Sequence, residues 1–99
     1  MLEFATPFVV ETSFRLPGLG LLVLPAEPEP NWLMAYGLHT VLTVTLPSSI
    51  QYPSSVIGTI EELSHSGQSE RRALLLDFDP ITPLSPGAYL QVNEAPSEL

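Results

Sequence analysis

Residues 8–23 read FVVETSFRLPGLGLLV, and this stretch determines the fold class that the sequence predicts. Apolar and polar side chains alternate through residues 8–16, and a period of two is typical of a half-buried β-strand. The face that we expect to point into the protein interior carries Phe8, Val10, Thr12, Phe14 and Leu16. Residues 17–20 (PGLG) predict a turn, because proline fixes one backbone φ and glycine accepts positive φ. The stretch therefore predicts two strands joined by a turn.

The same period of two recurs between the prolines along the rest of the chain. Further strand candidates lie at residues 21–24, 38–46, 56–63, 72–78 and 88–92. The 11 prolines disfavour long helices, since an interior proline costs a helix about 3 kcal/mol. Six short strands bounded by glycine or proline predict an all-β fold, a small six-stranded antiparallel β-barrel that is closed or partly open. A two-sheet sandwich is the alternative.

Local signals refine this expectation at four places. Gly58 lies inside a strand candidate and is expected to mark a bulge. A turn is expected around Ser66-Gly67, and Pro86-Gly87 is typical of a type II turn. A single helical turn near residues 31–36, capped by Asn31, is left open.

The chain has the length of one ordinary domain and shows no internal boundary. We expect a single β-barrel domain over residues 1–99, with its core at about 6–93. An acidic proline-rich loop is expected at 25–31 and a frayed tail at 94–99.

The charge balance limits the classes of partner. The sequence has three arginines and no lysine against eleven carboxylates, for a net charge of −8. Nucleic acids and anionic membranes attract clustered cations, so we expect neither as a partner. A basic protein partner, by contrast, would be attracted over a long range. The alternative is that the charge only keeps a small apolar protein in solution.

The sequence also bears on the cellular compartment. There is no cysteine, so neither a disulfide nor a thiolate metal site is expected. The first residues, Met1 to Phe4, lack the basic start and apolar run of a signal peptide. The longest apolar run, residues 19–24, is far shorter than a bilayer span. We therefore expect a cytoplasmic protein.

Four stretches together resemble the second β-barrel domain of translational GTPases of the elongation factor Tu type. In residues 8–23, Phe8, Val10, Phe14, Gly18 and Gly20 occupy the places of that domain's F-x-V/I-x-x-x-F strand and G-x-G turn. Residues 58–63 (GTIEEL) are similar to a later strand, and residues 72–78 to the apolar strand after it. Residues 84–90 (LSPGAYL) are similar to the closing turn.

The resemblance implies a six-stranded β-barrel and no catalytic activity. In the family this barrel contacts RNA or other protein domains. Residues 25–37 lack the basic, glycine-containing hairpin of the family, and no G-x-x-x-x-G-K-[ST] phosphate loop occurs in the chain. The acidic charge argues against the RNA role, so no binding residue is carried over.

Catalytic and metal chemistry find little support. Asp77 and Asp79 would face the same way on a strand and could hold Mg²⁺ or Ca²⁺, although a site needs more oxygen ligands than these two supply. Ser64, His65 and Asp77 are the residue types of a hydrolase triad, but no G-x-S-x-G elbow accompanies them and loop polarity explains them. We assign no catalytic residue, no metal ligand and no cofactor.

Three aromatic residues, one methionine and two acidic residues form the candidate partner-binding site: Trp32, Met34, Tyr36, Tyr52, Glu27 and Glu29. Exposed tryptophan and tyrosine side chains often anchor protein interfaces. The alternative is that the aromatic residues fill one end of the barrel, where large rings contribute much of the buried area.

These observations predict a non-enzymatic acidic β-barrel that acts as a protein–protein interaction module, with sequestration of a basic partner as one form of that role. One alternative is a structural homo-oligomer paired through strand edges, since Val41 and Leu75 lie on the faces predicted to be exposed. The other is a metal-dependent enzyme that uses Asp77 and Asp79.

Overall fold

Six antiparallel strands form a closed barrel in the computed structural model, which describes residues 7–65 and 68–94. The strands are β1 (Phe8–Leu16), β2 (Gly20–Pro25), β3 (Val41–Thr45), β4 (Ser55–His65), β5 (Gln68–Leu76) and β6 (Tyr89–Glu94). A short helix, α1 (Asn31–Ala35), lies between β2 and β3. The order around the barrel is β1-β2-β5-β4-β3-β6, and β6 returns to β1. The barrel prediction is therefore confirmed over the sandwich.

Alternating apolar residues of every strand fill the barrel interior. The apolar strand side chains that are almost fully buried are Phe8, Val10, Leu21, Val23, Pro25, Leu42, Val44, Ile60, Ala73, Leu74, Leu76, Leu90 and Val92. Directly paired residues of antiparallel strands share a face, so Leu42, Gly58 and Leu76 form one interior row. This packing closes the core without any buried polar side chain among the described residues.

Gly58 has a packing role in this row. No register shift occurs at Gly58, so the predicted bulge is wrong there; the irregularity of β4 lies between Leu63 and His65. A Cβ added at Gly58 would lie 3.0 Å from Leu76 Cδ2 and 3.1 Å from Val44 Cγ2. Glycine is present because facing side chains occupy the space that a larger residue would need.

A bulge in β1 changes which residues point inward. Val10 pairs with Pro25 and Thr12 with Leu24, so β1 advances two residues while β2 advances one, and Glu11 is the extra residue. A bulge of this kind reverses the alternation beyond it. The prediction that the inward face continues through Thr12, Phe14 and Leu16 is therefore wrong, and Phe14 is 50% exposed.

The turn from β1 to β2 follows the sequence prediction. The Leu19 amide donates to the Leu16 carbonyl over 2.9 Å, and Gly18 has a φ of 83°. Gly20 has a φ of 138°, and a Cβ there would collide with the Leu76 carbonyl oxygen. This turn therefore requires glycine for both its backbone angle and its approach to β5.

Three other boundaries differ from the sequence predictions or refine them. The strand expected at 38–46 spans only Val41–Thr45, because His39 adopts a positive φ of 68°. Asn31 is the first residue of α1 and does not cap it; Pro30 occupies the cap position without a side-chain hydrogen bond. β4 ends later and β5 begins earlier than predicted, so that they pair as far as His65 with Gln68, whereas β5 ends at Leu76, before the predicted end at 78. Residues 66–67 of the predicted turn lie outside the described residues.

The β1–β6 seam closes the barrel through few pairs. Phe8 pairs with Leu90 and Val9 with Tyr89. The Val10 amide then donates to the Ala88 carbonyl, and the Ala88 amide donates to the Ser85 carbonyl across the turn at Pro86-Gly87. Gly87 has a φ of 89°, which agrees with the predicted type II turn. Apart from Glu94, the predicted frayed tail at 94–99 lies outside the described residues.

Candidate interaction surface

Helix α1 places one residue of the candidate partner-binding site, Trp32, in the interior and another, Met34, in solvent. Trp32 is only 9% exposed, and its ring packs against that of Phe8 with the centroids 6.4 Å apart. Leu33 beside it is fully buried, whereas Met34 is 57% exposed. α1 therefore covers one end of the barrel with Trp32 and Leu33, and Met34 projects outward. For Trp32 the barrel-filling alternative is the arrangement observed.

The other predicted residues at this end are mostly engaged within the chain. Tyr36 is partly buried against the core, and its carbonyl accepts a hydrogen bond from Arg72 Nη1 over 2.9 Å. Glu29 is partly buried and forms an ion pair with Arg71. Glu27 is exposed and forms no ion pair with a described residue. Of the group predicted near α1, Met34 and Glu27 present their side chains to solvent.

Tyr52 lies away from the rest of the predicted group. It belongs to the loop between β3 and β4, whereas α1 precedes β3, so the two lie at opposite ends of the barrel. The Tyr52 ring meets that of Phe78 edge to face with centroids 6.0 Å apart, and its hydroxyl donates to the Thr82 carbonyl over 3.3 Å. The structure therefore does not bring Tyr52 together with Trp32.

An ion pair between Arg15 and Asp79 joins β1 to the segment after β5. Arg15 Nε donates to Asp79 Oδ1 over 2.8 Å and Nη2 to Oδ2 over 3.2 Å. This bidentate pair lowers the pKa of Asp79, mainly through the hydrogen bonds from Arg15, and raises the pKa of Arg15. This ion pair uses one of the two carboxylates of the alternative metal site, Asp77 and Asp79.

Arg71 joins three separate parts of the chain. It lies 3.3 Å from carboxylate oxygens of both Glu11 and Glu29. Its Nη2 also donates to the Pro25 carbonyl over 2.8 Å. The bulge residue of β1, the end of β2 and the acidic loop are thus held by one guanidinium group.

Arg72 is the most enclosed of the three cations. Its Nε lies 3.5 Å from Glu62 Oε2, while Nη1 bonds the Tyr36 carbonyl. The sequence has no lysine, so its cations are the three arginines. Each arginine is paired with a carboxylate of the same chain. The exposed carboxylates of Glu27 and Asp77 remain without an ion pair to a described residue.

The prediction that Asp77 and Asp79 share a strand face is wrong. Both follow the end of β5 at Leu76. Among residues 7–65 and 68–94, no group of three or more histidine, aspartate or glutamate side chains is placed to hold a metal ion. The side chain of His65, considered for a hydrolase triad, lies outside what the structure describes.

The outer surface of the barrel carries a row of apolar side chains, only some of which the sequence predicts to be exposed. Val41 is exposed and Leu75 half-buried, both on the outward faces predicted for them. Phe14 also lies on this surface because of the bulge at Glu11. A bulge leaves no distinctive residue type in this sequence, so the pattern alone gave no signal for the exposure of Phe14.

Comparisons with known proteins find no matching family model, no matching curated protein and no matching solved structure. In the part of the chain that the structure describes, helix α1 is five residues long, and no helix there has the length and apolarity to cross a bilayer.

Proposed function

We propose that this barrel is a non-enzymatic interaction module that binds a basic protein partner. The observation that carries the proposal is the pairing of all three arginines with carboxylates of the same chain. With the cations used internally, the molecule presents exposed carboxylates beside exposed apolar side chains. The net charge of −8 attracts a cationic partner over a long range and speeds its encounter with the barrel.

Apolar contacts would supply the affinity that long-range attraction does not. Charge complementarity mainly sets partner choice and association rate, whereas buried apolar and aromatic anchors carry most of the binding energy. Exposed apolar residues lie on the outer strands at Phe14 and Val41 and on the turn between β1 and β2 at Leu19. The partner that fits these surfaces is a protein segment with both basic and aliphatic side chains, and sequestration of a basic protein is one form of this role.

Pairing of two copies through strand edges is disfavoured by two observations. Each of the six strands already pairs with a neighbour on both sides, so edge pairing would require the barrel to open. Two copies would also bring together charges of −8 each. Both observations favour a basic partner over a homo-oligomer.

The resemblance to the second domain of translational GTPases agrees with a role in binding. We propose that the closed six-stranded antiparallel barrel corresponds to that domain's barrel. In that family the barrel contacts RNA or protein domains. The surplus of carboxylates leaves protein contact as the role that this chain can share.

The test uses the full chain and three short fluorescent peptides in anisotropy titrations. The first peptide repeats Leu-Leu-Lys-Lys twice, the second replaces its leucines by serine, and the third replaces its lysines by glutamate. We expect the leucine-lysine peptide to bind about tenfold more tightly than the serine-lysine peptide, because burial of one leucine is worth at least that factor. Its affinity should fall as the salt concentration rises.

Two results would contradict the proposal. Equal binding of the two lysine peptides would show that the barrel acts only as a nonspecific polyanion. Binding of the leucine-glutamate peptide at the same affinity as the leucine-lysine peptide would show that basic charge is not part of the recognition.

A further inference from the structure

A continuous row of outward side chains crosses five strands of the barrel. Its members face one another in direct cross-strand pairs: Phe14 with Leu22, Leu22 with Leu75, Leu75 with Thr59, and Thr59 with Val41. Directly paired residues lie on the same face of a sheet. The neighbours of Leu22 and Leu75 along their strands are fully buried, so this row lies on the outer surface. We call these five residues the outer row.

A shallow depression of about 230 Å³ lies beside the middle of the outer row. It is lined by Leu19, Ile57, Gly58, Thr59, Leu75 and Asp77. Leu19 stands on the turn between β1 and β2 and is 64% exposed, so it forms an open wall of the depression. A concave surface with aliphatic walls accepts an aliphatic side chain.

Asp77 is the acidic residue among those that line this depression. Its backbone amide donates to the Ile57 carbonyl over 2.8 Å, which fixes the residue beside the aliphatic walls. The residue is exposed and forms no ion pair with a described residue. Arg15, whose side chain reaches the segment after β5, is already bound to Asp79. An incoming cation therefore finds an unpaired carboxylate next to an apolar surface.

We propose that this depression is where the basic partner docks, and that it receives an extended segment carrying an aliphatic residue followed two positions later by a lysine or arginine. The inference rests on the proposed function and adds the site and the pattern of the ligand. Residues at positions i and i+2 of an extended segment point the same way and lie about 7 Å apart. The aliphatic side chain fills the depression while the cation pairs with Asp77.

Charge complementarity selects this occupant over a second copy of the chain. A second copy would bring Asp77 towards another Asp77, and all three of its arginines are paired elsewhere. Like charges opposed across an interface disfavour association. A basic segment supplies the cation that the site lacks.

The test compares variants at the depression with matched variants at α1, using the leucine-lysine peptide as the probe. Leu19→Ser and Asp77→Asn change exposed residues of the depression, and Met34→Ser and Glu27→Gln make the same kinds of change at the helix end. We expect Leu19→Ser to weaken binding about tenfold through lost apolar burial. Asp77→Asn should weaken it up to about fivefold and reduce its salt dependence.

Each outcome separates this inference from the proposed function. The helix-end variants should bind as the unchanged protein does, and peptide-induced amide shifts in nuclear magnetic resonance spectra should centre on Ile57, Leu75 and Asp77. Weakening by Met34→Ser or Glu27→Gln instead would overturn the docking site and leave the proposed function standing. Absence of peptide binding would overturn both. A dimer in sedimentation equilibrium that Leu19→Ser dissociates would overturn the basic occupant in favour of a second copy.

Discussion

The inner and outer faces of the same strands place similar side chains in different environments. On β5, Leu74 and Leu76 point inward and are fully buried, whereas Leu75 between them points outward and remains half-buried. All three are leucines, so composition does not distinguish them, and only their position in the two-residue period does. A leucine in this barrel therefore stabilises the fold or remains available to a partner according to the face on which it lies.

The largest difference should appear between Leu74→Ala and Leu75→Ala. Removing the Leu74 side chain leaves a cavity in the packed interior, and such substitutions cost about 2–5 kcal/mol. Leu75→Ala on the outer face should cost less than about 1 kcal/mol. Urea denaturation followed by circular dichroism measures both free energies of unfolding. Similar losses for the two variants would show that the outer face is as enclosed as the interior.

The turn that joins β1 to β2 should give the next largest change in stability. Gly20→Ala should destabilise the protein by about 1–3 kcal/mol, because alanine is strained at a φ of 138° and its Cβ meets the Leu76 carbonyl. Gly37→Ala is the matched control, since the nearest atom to its added Cβ is Thr40 Oγ1 at 3.9 Å. Thermal unfolding of the two variants compares them, and an unchanged melting temperature for Gly20→Ala would exclude this account of the turn.

The bulge at Glu11 makes a smaller but sharper test, since it reverses the roles of two neighbouring residues. Ser13 Oγ donates to the Leu84 carbonyl over 2.9 Å, so Ser13→Ala should cost about 1 kcal/mol. Phe14→Ser removes a half-exposed ring and should cost less than about 1 kcal/mol. If β1 had no bulge, Phe14 would be buried and its truncation would cost about 3–5 kcal/mol, more than Ser13→Ala. Denaturant titration of both variants therefore reports the register of β1 directly.

β1 also shows where prediction from the sequence succeeds and where it stops. The period of two, the turn glycines and the spacing of the prolines were sufficient for the barrel, because each of these signals acts locally. The bulge depends on how β1 pairs with β2, and Glu11 itself resembles any exposed strand residue. The reversal beyond it, and with it the exposure of Phe14, follows from tertiary pairing.

The predicted binding group illustrates the same limit. The sequence groups Trp32, Tyr36 and Tyr52 only by residue type, whereas burial and strand order place Trp32 in the core and Tyr52 at the other end of the barrel. The depression near Asp77 brings together the β1–β2 turn, β4 and the end of β5. These segments are far apart in sequence, and only the closed strand order brings them together.

The smallest effect belongs to the exposed ion pair between Arg15 and Asp79. Hydrogen bonds from Arg15 hold the pKa of the Asp79 carboxyl below its ordinary value of 3.8. A carboxyl whose folded pKa lies below its unfolded pKa contributes stability that is complete above the unfolded value and is lost as the pH falls through the folded value. The contribution should therefore disappear only in the acid range below 3.8. Carbon-13 titration of the Asp79 carboxyl should give a low pKa that Arg15→Gln returns towards the ordinary value, while Arg71→Gln leaves it unchanged because Arg71 contacts Glu11 and Glu29 instead. An Asp79 titration that Arg15→Gln does not move would mean that this surface pair does not persist in solution, in contrast to the interior packing that the larger effects measure.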